Sequence, residues 1–210
     1  MGPDVIVIIG ASAAGISAAR EFRAIDTAVP VVLFSEERDM PYYRTFLTEF
    51  IRDDSVERRP GFLLNPDSWY DEKNIELRLE EKVKRIDLNA RTVHTSTGMD
   101  CPFGKLIIAS GSEPFVPFPD ALSMENVFSI RTLEDARTVI AYAEKASSAI
   151  VIGGGLLGLE AAHSFAEKGL GVTVLEMSER ILPRHLDAEC SGIACEIIEK
   201  KNVKLVMGRS

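Results

Sequence analysis

Cysteine and histidine are scarce in this chain, and each scarcity removes a class of function. Three cysteines, Cys101, Cys190 and Cys195, stand in 210 residues. They are too few for the disulfide framework of a small secreted domain, and their spacing is not that of a metal site. The three histidines, His94, His163 and His185, fall at no ligand or triad spacing, so neither a zinc centre nor a serine–histidine nucleophile is indicated. No apolar run approaches the roughly 20 residues that a bilayer-spanning helix needs, so no membrane span is expected. Basic charge is also in deficit. Lys and Arg number 24 against 32 Asp and Glu, a net charge of −8, which argues against nucleic acid or an anionic membrane surface as partner. Met1 leads almost directly into the apolar run at Val5, which leaves no room for a signal peptide. The expectation is a soluble protein of the reducing cytoplasm.

What is present is the composition of an ordinary globular protein, 46% hydrophobic and 27% charged, long enough for one or two domains with proper cores. Two stretches share one design. Val5 to Ile9 is a buried-strand run followed by Gly10-Ala11-Ser12-Ala13-Ala14-Gly15, and Ala149 to Ile152 is another followed by Gly153-Gly154-Gly155-Leu156-Leu157-Gly158. Each leads into an alanine-rich helix and then a second strand run closed by an acid, Val31 to Glu36 and Val172 to Glu176. This is the physical recipe for an adenine dinucleotide site. A helix N-terminus offers unpaired N–H groups and positive dipole to a pyrophosphate, and the acid accepts the ribose hydroxyls. The second turn has all three glycines, Gly153, Gly155 and Gly158. The first has Ser12 at the middle position, where a hydroxyl is small enough to be tolerated and can donate to a phosphate oxygen. Two such units in series point to a protein that passes electrons between two dinucleotides.

The remaining chain reads as follows. A helix is expected over Ala11 to Ile25, a short helical stretch near Leu47 to Ile51, an exposed polar loop from Asp53 to Gly61, and a short helix from Pro66 to Asn74. Ile75 to Leu79, Val83 to Asp87 and Thr92 to Ser96 read as an antiparallel meander with turns at Asn89-Ala90 and Thr97-Gly98. Lys105 to Ile108 is a further buried strand that runs on to Gly111. Pro114, Pro117 and Pro119 punctuate a linker, and Thr132 caps a helix from Leu133 to Lys145. A helix near Asp187 to Lys200 and a strand at Val203 to Val206 close the chain. The fold class expected is α/β, with two Rossmann-like dinucleotide-binding domains. The first spans residues 1–118. The second spans 119–210 and is incomplete, because no strand follows Val206; that bare apolar edge is expected to be covered by a neighbouring molecule.

With these pieces placed, the chain resembles the two-dinucleotide-binding flavoproteins of the glutathione reductase superfamily. Within it the resemblance is strongest to the NADH:rubredoxin and ferredoxin reductases and to the flavoprotein part of NAD(P)H nitrite reductases. It is carried by Gly10 to Gly15, by Pro41-Tyr42-Tyr43-Arg44 with Leu47-Thr48, by Trp69-Tyr70 and Val83, by Leu106 to Gly111 with Ser110 in place of threonine, by Arg131 to Ala136, and by Gly153 to Glu160. The resemblance implies FAD on the first domain and NAD(P)H on the second. It implies that Gly10, Ser12, Ala13, Ala14 and Gly15 surround the FAD pyrophosphate and that Glu36 holds the adenosine ribose. Arg44 and Thr48 would reach the phosphate and ribityl side, Val83 the adenine through its backbone, and Ala109, Ser110 and Gly111 would close over the flavin. Gly153, Gly155, Leu156, Leu157 and Gly158 would take the NAD(P)H pyrophosphate, with Glu176 on its ribose and Glu160 near the nicotinamide.

The departures from that family narrow the chemistry. No cysteine lies between Glu36 and Arg52, so a thiol relay of the disulfide-reductase kind is excluded. Glu49 stands where some ferredoxin reductases have a lysine, Thr45 where a proline is common, and family members run to roughly twice this length. The resemblance implies an oxidoreductase in which hydride passes from NADH or NADPH to FAD and electrons go on to an acceptor such as a rubredoxin, a ferredoxin or a nitrite reductase centre. NADH is favoured because Glu176 would repel a 2′-phosphate, with Arg180 and Arg184 nearby pulling the other way. No acid–base residue is required, so no catalytic residue is assigned. The alternative is a truncated or split nucleotide-binding piece without turnover, and a homo-oligomer or a completing chain is expected in either case. Plainer roles stand beside these. Glu36 could be a solvated strand-end acid and Glu160 a dipole partner of its helix. The basic cluster Arg78, Lys82, Lys84, Arg85 and Arg91 is either a dock for an acidic electron carrier or a solvated strand face.

Overall fold

The structure, a computed structural model, describes residues 4–208; Met1, on which the expectation about a leader turned, lies outside them. Two units emerge, one built from the chain up to Tyr43 with Arg59–Glu113, the other from Arg44–Arg58 with the chain from Pro114 onward. The 15-residue excursion at 44–58 therefore belongs structurally with the second unit, although it lies early in the sequence.

The first unit is organised by β1 (Ile6–Ile9), an uninterrupted aliphatic run that only a strand covered on both faces can bury. Glycine 10 ends it, α1 (Ala13–Ile25) follows, and β2 (Val31–Phe34) returns parallel to β1 with Ile6 opposite Val31 and Ile9 opposite Phe34. After a short helix α2 (Leu47–Arg52) in the other unit and α3 (Ser68–Glu72), β3 (Ile75–Arg78) joins the far side of β2. It runs parallel to β2, with Ile75 opposite Val31. This corrects the expected antiparallel placement of Ile75 to Leu79. The long crossover through α3 brings the chain back in at the same end of the sheet, which a hairpin cannot do.

The meander is instead β4 (Val83–Asp87), β5 (Thr92–Thr95) and β6 (Asp100–Pro102), and Cys101 lies in its last strand. β7 (Lys105–Ile108) then completes a four-stranded parallel sheet in the order β3-β2-β1-β7. The period-2 alternation of strands divides the core in two. Ile6, Ile8, Val31 and Leu33 pack with Ile16 and Ala19 of α1 on one face. Val7, Val32 and Phe34 pack with Val93 and Phe103 of the meander side on the other.

Among the described residues of this unit two charged ones are buried, Arg23 and Glu81. The Arg23 guanidinium at the end of α1 is 5% exposed and donates to four carbonyl oxygens, those of Lys73 and Asn74 at 2.6 Å, Val29 at 2.7 Å and Asp26 at 3.1 Å. It ties the end of α1 to the entries of β2 and β3.

The second unit repeats the plan. The expected cap at Thr132 is present as a full capping box on α4 (Leu133–Ala143), the Thr132 hydroxyl accepting from Asp135 N–H while Asp135 accepts from the Thr132 N–H. β8 (Ser148–Ile152), α5 (Leu156–Glu167), β9 (Gly171–Glu176), α6 (Ala188–Glu199) and β10 (Val203–Met207) follow, in a parallel sheet ordered β10-β9-β8. The expected exposed loop at Asp53 to Gly61 holds a 3-10 helix at Asp54–Arg58 whose Val56 is fully buried, because α2 packs against α4 and α5 and draws this segment in.

One face of this sheet, with Val172 and Val174, is buried, and α5 packs on its strands. The other carries Ile150 and Ile152 at 69% and 65% exposure. The meander that covers the matching face of the first sheet has no counterpart among the described residues of the second unit.

Candidate functional site

The two glycine turns are built alike in atomic detail. Gly10 N–H donates to Phe34 O at 2.9 Å and Gly153 N–H to Leu175 O at 2.8 Å, so each turn is sewn to the strand beside it. Gly10 and Gly153 take φ of +103° and +109°, a region that side chains rarely adopt. A Cβ on Gly15 would meet Gly10 O at 1.8 Å, and one on Gly158 would meet Gly153 O at 2.1 Å. These glycines let helix and strand close on each other.

Gly155 is of a different kind. Its φ is −83°, open to any residue, and a Cβ there would have nothing within 4 Å. Neither backbone nor packing within the chain requires glycine at 155, which leaves room for a group outside the chain. Ser12, its counterpart, also sits at the helix N-cap with an extended backbone, φ −90°, so its Cβ introduces no strain.

Beyond these caps, Ala13 and Ala14 at the start of α1 and Leu156 and Leu157 at the start of α5 are exposed. The first N–H groups of a helix have no partner within it, and they carry the positive end of its dipole. Two exposed helix N-termini, each reached by a glycine turn, fit the pyrophosphate of a dinucleotide. On the first, the end of β7 closes the rear of the turn: Ala109 N–H donates to Ile9 O at 2.7 Å, and a Cβ on Gly10 would strike Ala109 O at 2.2 Å. Ser110 and Gly111, with Gly111 at φ +75°, leave that strand exposed beside it.

The two acids are not in equivalent positions. Glu176 is the last residue of β9, directly after Leu175, whereas the residue after Phe34 is Ser35 and Glu36 lies one further. The Glu176 carboxylate folds over its own turn, Oε2 accepting from Gly154 N–H and Oε1 from Ser178 N–H, both at 2.7 Å. Partial burial works to raise its pKa. The backbone N–H groups of Ser178 and Gly154 outweigh that and hold the carboxyl below its ordinary value. Glu36 instead pairs at 2.6 Å with Lys82 Nζ, both side chains half exposed. That pair draws the start of β4, and with it Val83, to the end of β2, so Glu36 and Val83 share one end of the first unit.

The sequence groups Lys82 with a basic cluster and does not show Glu36 as its partner, because the two are far apart along the chain. The cluster itself dissolves. Arg78 pairs with Glu76, Arg85 with Asp87 and His94, and Arg91 donates to Gly104 O. Internal partners on most of its members favour the solvated strand face over a dock.

Arg44 and Thr48 lie in the second unit. An Arg44 Nη donates to Arg131 O at the entry to α4. Thr48 Oγ1 donates to Glu160 Oε2 at 3.0 Å, and Ser164 Oγ donates to Thr48 O at 2.6 Å. The family resemblance implies different dinucleotides for Thr48 and Glu160, and the structure brings the two side chains together. The cysteines are all free thiols, and no group of metal-ligating side chains occurs among the described residues. No helix among them is long and apolar enough to cross a membrane.

Comparison with known proteins agrees with this architecture. The chain is 32% identical to the nitrite reductase [NAD(P)H] of Bacillus subtilis over 99% of its own length and 26% of that protein's. It is 32% identical to the ferredoxin–NAD(+) reductase component of the anthranilate 1,2-dioxygenase system of Burkholderia cepacia, over 99% of this chain and 51% of that one. Among solved structures, the NADH:rubredoxin oxidoreductase of Clostridium acetobutylicum superposes with a TM-score of 0.81 at 28% identity, covering 98% of this chain and 53% of the other. The chain thus spans about half, or less, of the length of these relatives. The family described as pyridine nucleotide-disulphide oxidoreductase matches residues 4–210, and the chain belongs to it.

Proposed function

We propose that this chain is the nucleotide-binding part of a flavoprotein oxidoreductase, holding FAD on its first glycine turn and NADH, or NADPH, on its second. The observation that carries the reading is the repeated turn: two exposed helix N-termini, each behind a positive-φ glycine and a strand that ends near an acid. Gly10, Ser12, Ala13, Ala14 and Gly15 would hold the FAD pyrophosphate, with Glu36 on the ribose and Val83, Ala109, Ser110 and Gly111 around it. Gly153, Gly155, Leu156, Leu157 and Gly158 would hold that of the nicotinamide dinucleotide. Glu176 would accept its ribose hydroxyls, and its charge favours NADH over the 2′-phosphorylated coenzyme. When bound, nicotinamide and flavin supply hydride chemistry themselves, and the chain's part is to bind, orient and exclude water. Names of relatives that reduce ferredoxin or rubredoxin support a small redox protein as electron acceptor.

A second reading is a nucleotide-binding piece without turnover of its own. It is favoured by the three-stranded second sheet and its open Ile150–Ile152 face. Anaerobic titration of the purified chain with FAD and then NADH separates the two. Yellow colour retained on gel filtration and bleached by NADH supports the oxidoreductase. Nucleotide binding without bleaching supports the second reading. Failure to bind FAD, ADP and NADH alike would refute both.

A further inference from the structure

We infer that Thr48 is a positioning residue for the nicotinamide half of the second dinucleotide, acting by fixing the Glu160 carboxylate. The inference rests on the reading that the Gly153–Gly158 turn binds such a dinucleotide. Glu160 lies one turn into α5, and side chains on a helix lean toward its N-terminus. Its carboxylate therefore leans toward the turn rather than away from it. An exposed glutamate has three rotatable bonds, and holding it in one orientation needs a partner.

Thr48 supplies that partner at 3.0 Å to Oε2, and Thr48 is itself held. Its branched side chain restricts χ1, its carbonyl accepts from Ser164 Oγ at 2.6 Å, and Leu47, Phe50 and Ile51 around it on α2 are buried. Glu160 Oε1 carries no hydrogen bond among the described residues. One oxygen is thus fixed and the other is left as an acceptor beside the dinucleotide turn. The partner is a neutral hydroxyl, so the carboxylate keeps its whole charge. Glu49, the next residue along α2, spends its own charge on Arg52 at 3.2 Å.

A fixed carboxylate with a spare acceptor suits two features of a nicotinamide. It accepts from the carboxamide N–H₂, and it favours the cationic oxidised ring over the neutral reduced one. Neither feature exists in ADP-ribose, which shares the adenosine and the pyrophosphate. The hydroxyl–carboxylate pair should therefore influence NAD+ and NADH, and NAD+ more, while leaving ADP-ribose unaffected.

The test is calorimetric titration of ADP-ribose, NADH and NAD+ into the chain and its T48V, T48S, E160Q, E160A and T48V/E160A variants, with melting curves alongside. T48V is expected to weaken NADH by roughly 3- to 10-fold and NAD+ by more, with ADP-ribose unchanged. T48S should restore both, and T48V should add nothing to E160A, in which no acceptor is left for the hydroxyl to hold. Equal losses for ADP-ribose and NADH would show that Thr48 only packs α2, and would overturn the inference. So would additive effects of T48V and E160A. E160Q changes an exposed residue without altering its size, so it tests the inference even if T48V folds poorly: unchanged NAD+ affinity in E160Q overturns it. Wild-type chain that binds none of the three ligands overturns the dinucleotide reading itself and this inference with it.

Discussion

Gly155→Ala and Gly158→Ala place a methyl group on the same turn, and the structure assigns them opposite consequences. At Gly158 the added carbon would stand 2.1 Å from Gly153 O and 3.2 Å from its carbonyl carbon. Strand and helix must then part by about 1 Å, and overpacking of this kind costs about 1–3 kcal/mol or more. The gain in helix propensity, about 1 kcal/mol, offsets only part of it. At 2–4 °C of melting temperature per kcal/mol for a chain of this size, Gly158→Ala should melt several degrees early.

At Gly155 the methyl meets nothing within 4 Å, and φ of −83° imposes no strain. Alanine is a poorer N-cap than glycine by about 1 kcal/mol, while restricting the unfolded chain returns about 0.4–1 kcal/mol. The melting temperature should hardly move. Nucleotide affinity should behave the other way. On the proposed reading the methyl stands where a phosphate would approach the N–H groups of Leu156 and Leu157, and losing one hydrogen bond to a charged group, about 1.5–3 kcal/mol, weakens binding by about 10- to 100-fold. ADP-ribose titration and thermal melting of both variants decide the matter. A Gly155→Ala protein that binds ADP-ribose like wild type, or that melts as early as Gly158→Ala, would show that glycine at 155 serves the fold and not a ligand.

Three further outcomes are expected. Arg23→Met removes the donor of four carbonyl oxygens in a buried setting, so chemical denaturation should show a loss of about 3–5 kcal/mol; Arg23→Lys, whose donors radiate from one nitrogen, should recover less than half, and a loss under about 1 kcal/mol would mean the carbonyls find water. Glu176→Ala should narrow the NADH-over-NADPH affinity ratio about 5- to 10-fold; because the carboxyl is held below its ordinary value, the wild-type preference should survive acidification through the ordinary carboxylate range and be lost only as pH falls through the lowered pKa. Burial pushes the Tyr70 phenol up to about 12 from 10.0, against the opposing pull of the Asn65 amide. Below pH 10 both folded and unfolded chains keep its proton and stability is unaffected; as pH rises from 10 toward 12 the unfolded chain alone ionises, so stability should fall there, and Tyr70→Phe should abolish that part of the slope in alkaline urea titrations.

What the sequence alone determined is the local geometry of the turns. The order strand, glycine, helix cap, helix is written in some fifteen consecutive residues, and the positive φ at Gly10 and Gly153 and the close approaches at Gly15 and Gly158 follow from contacts within that stretch. The Thr132 cap and the strand runs were legible for the same reason. Tertiary structure alone decided what meets across long separations. β3 reads like any short strand, and only its crossover makes it parallel to β2.

The four carbonyls that surround Arg23 lie up to 51 residues away, and Lys82 finds Glu36 only because β4 starts beside the end of β2. Residues 44–58, read as part of the first domain, belong with the second because Leu47, Phe50, Ile51 and Val56 bury themselves there. That burial is non-directional and leaves no spacing signature in the chain. It nevertheless carries Thr48 to Glu160 across 112 residues, a pairing that periodicity cannot encode because the two side chains share no helix and no strand.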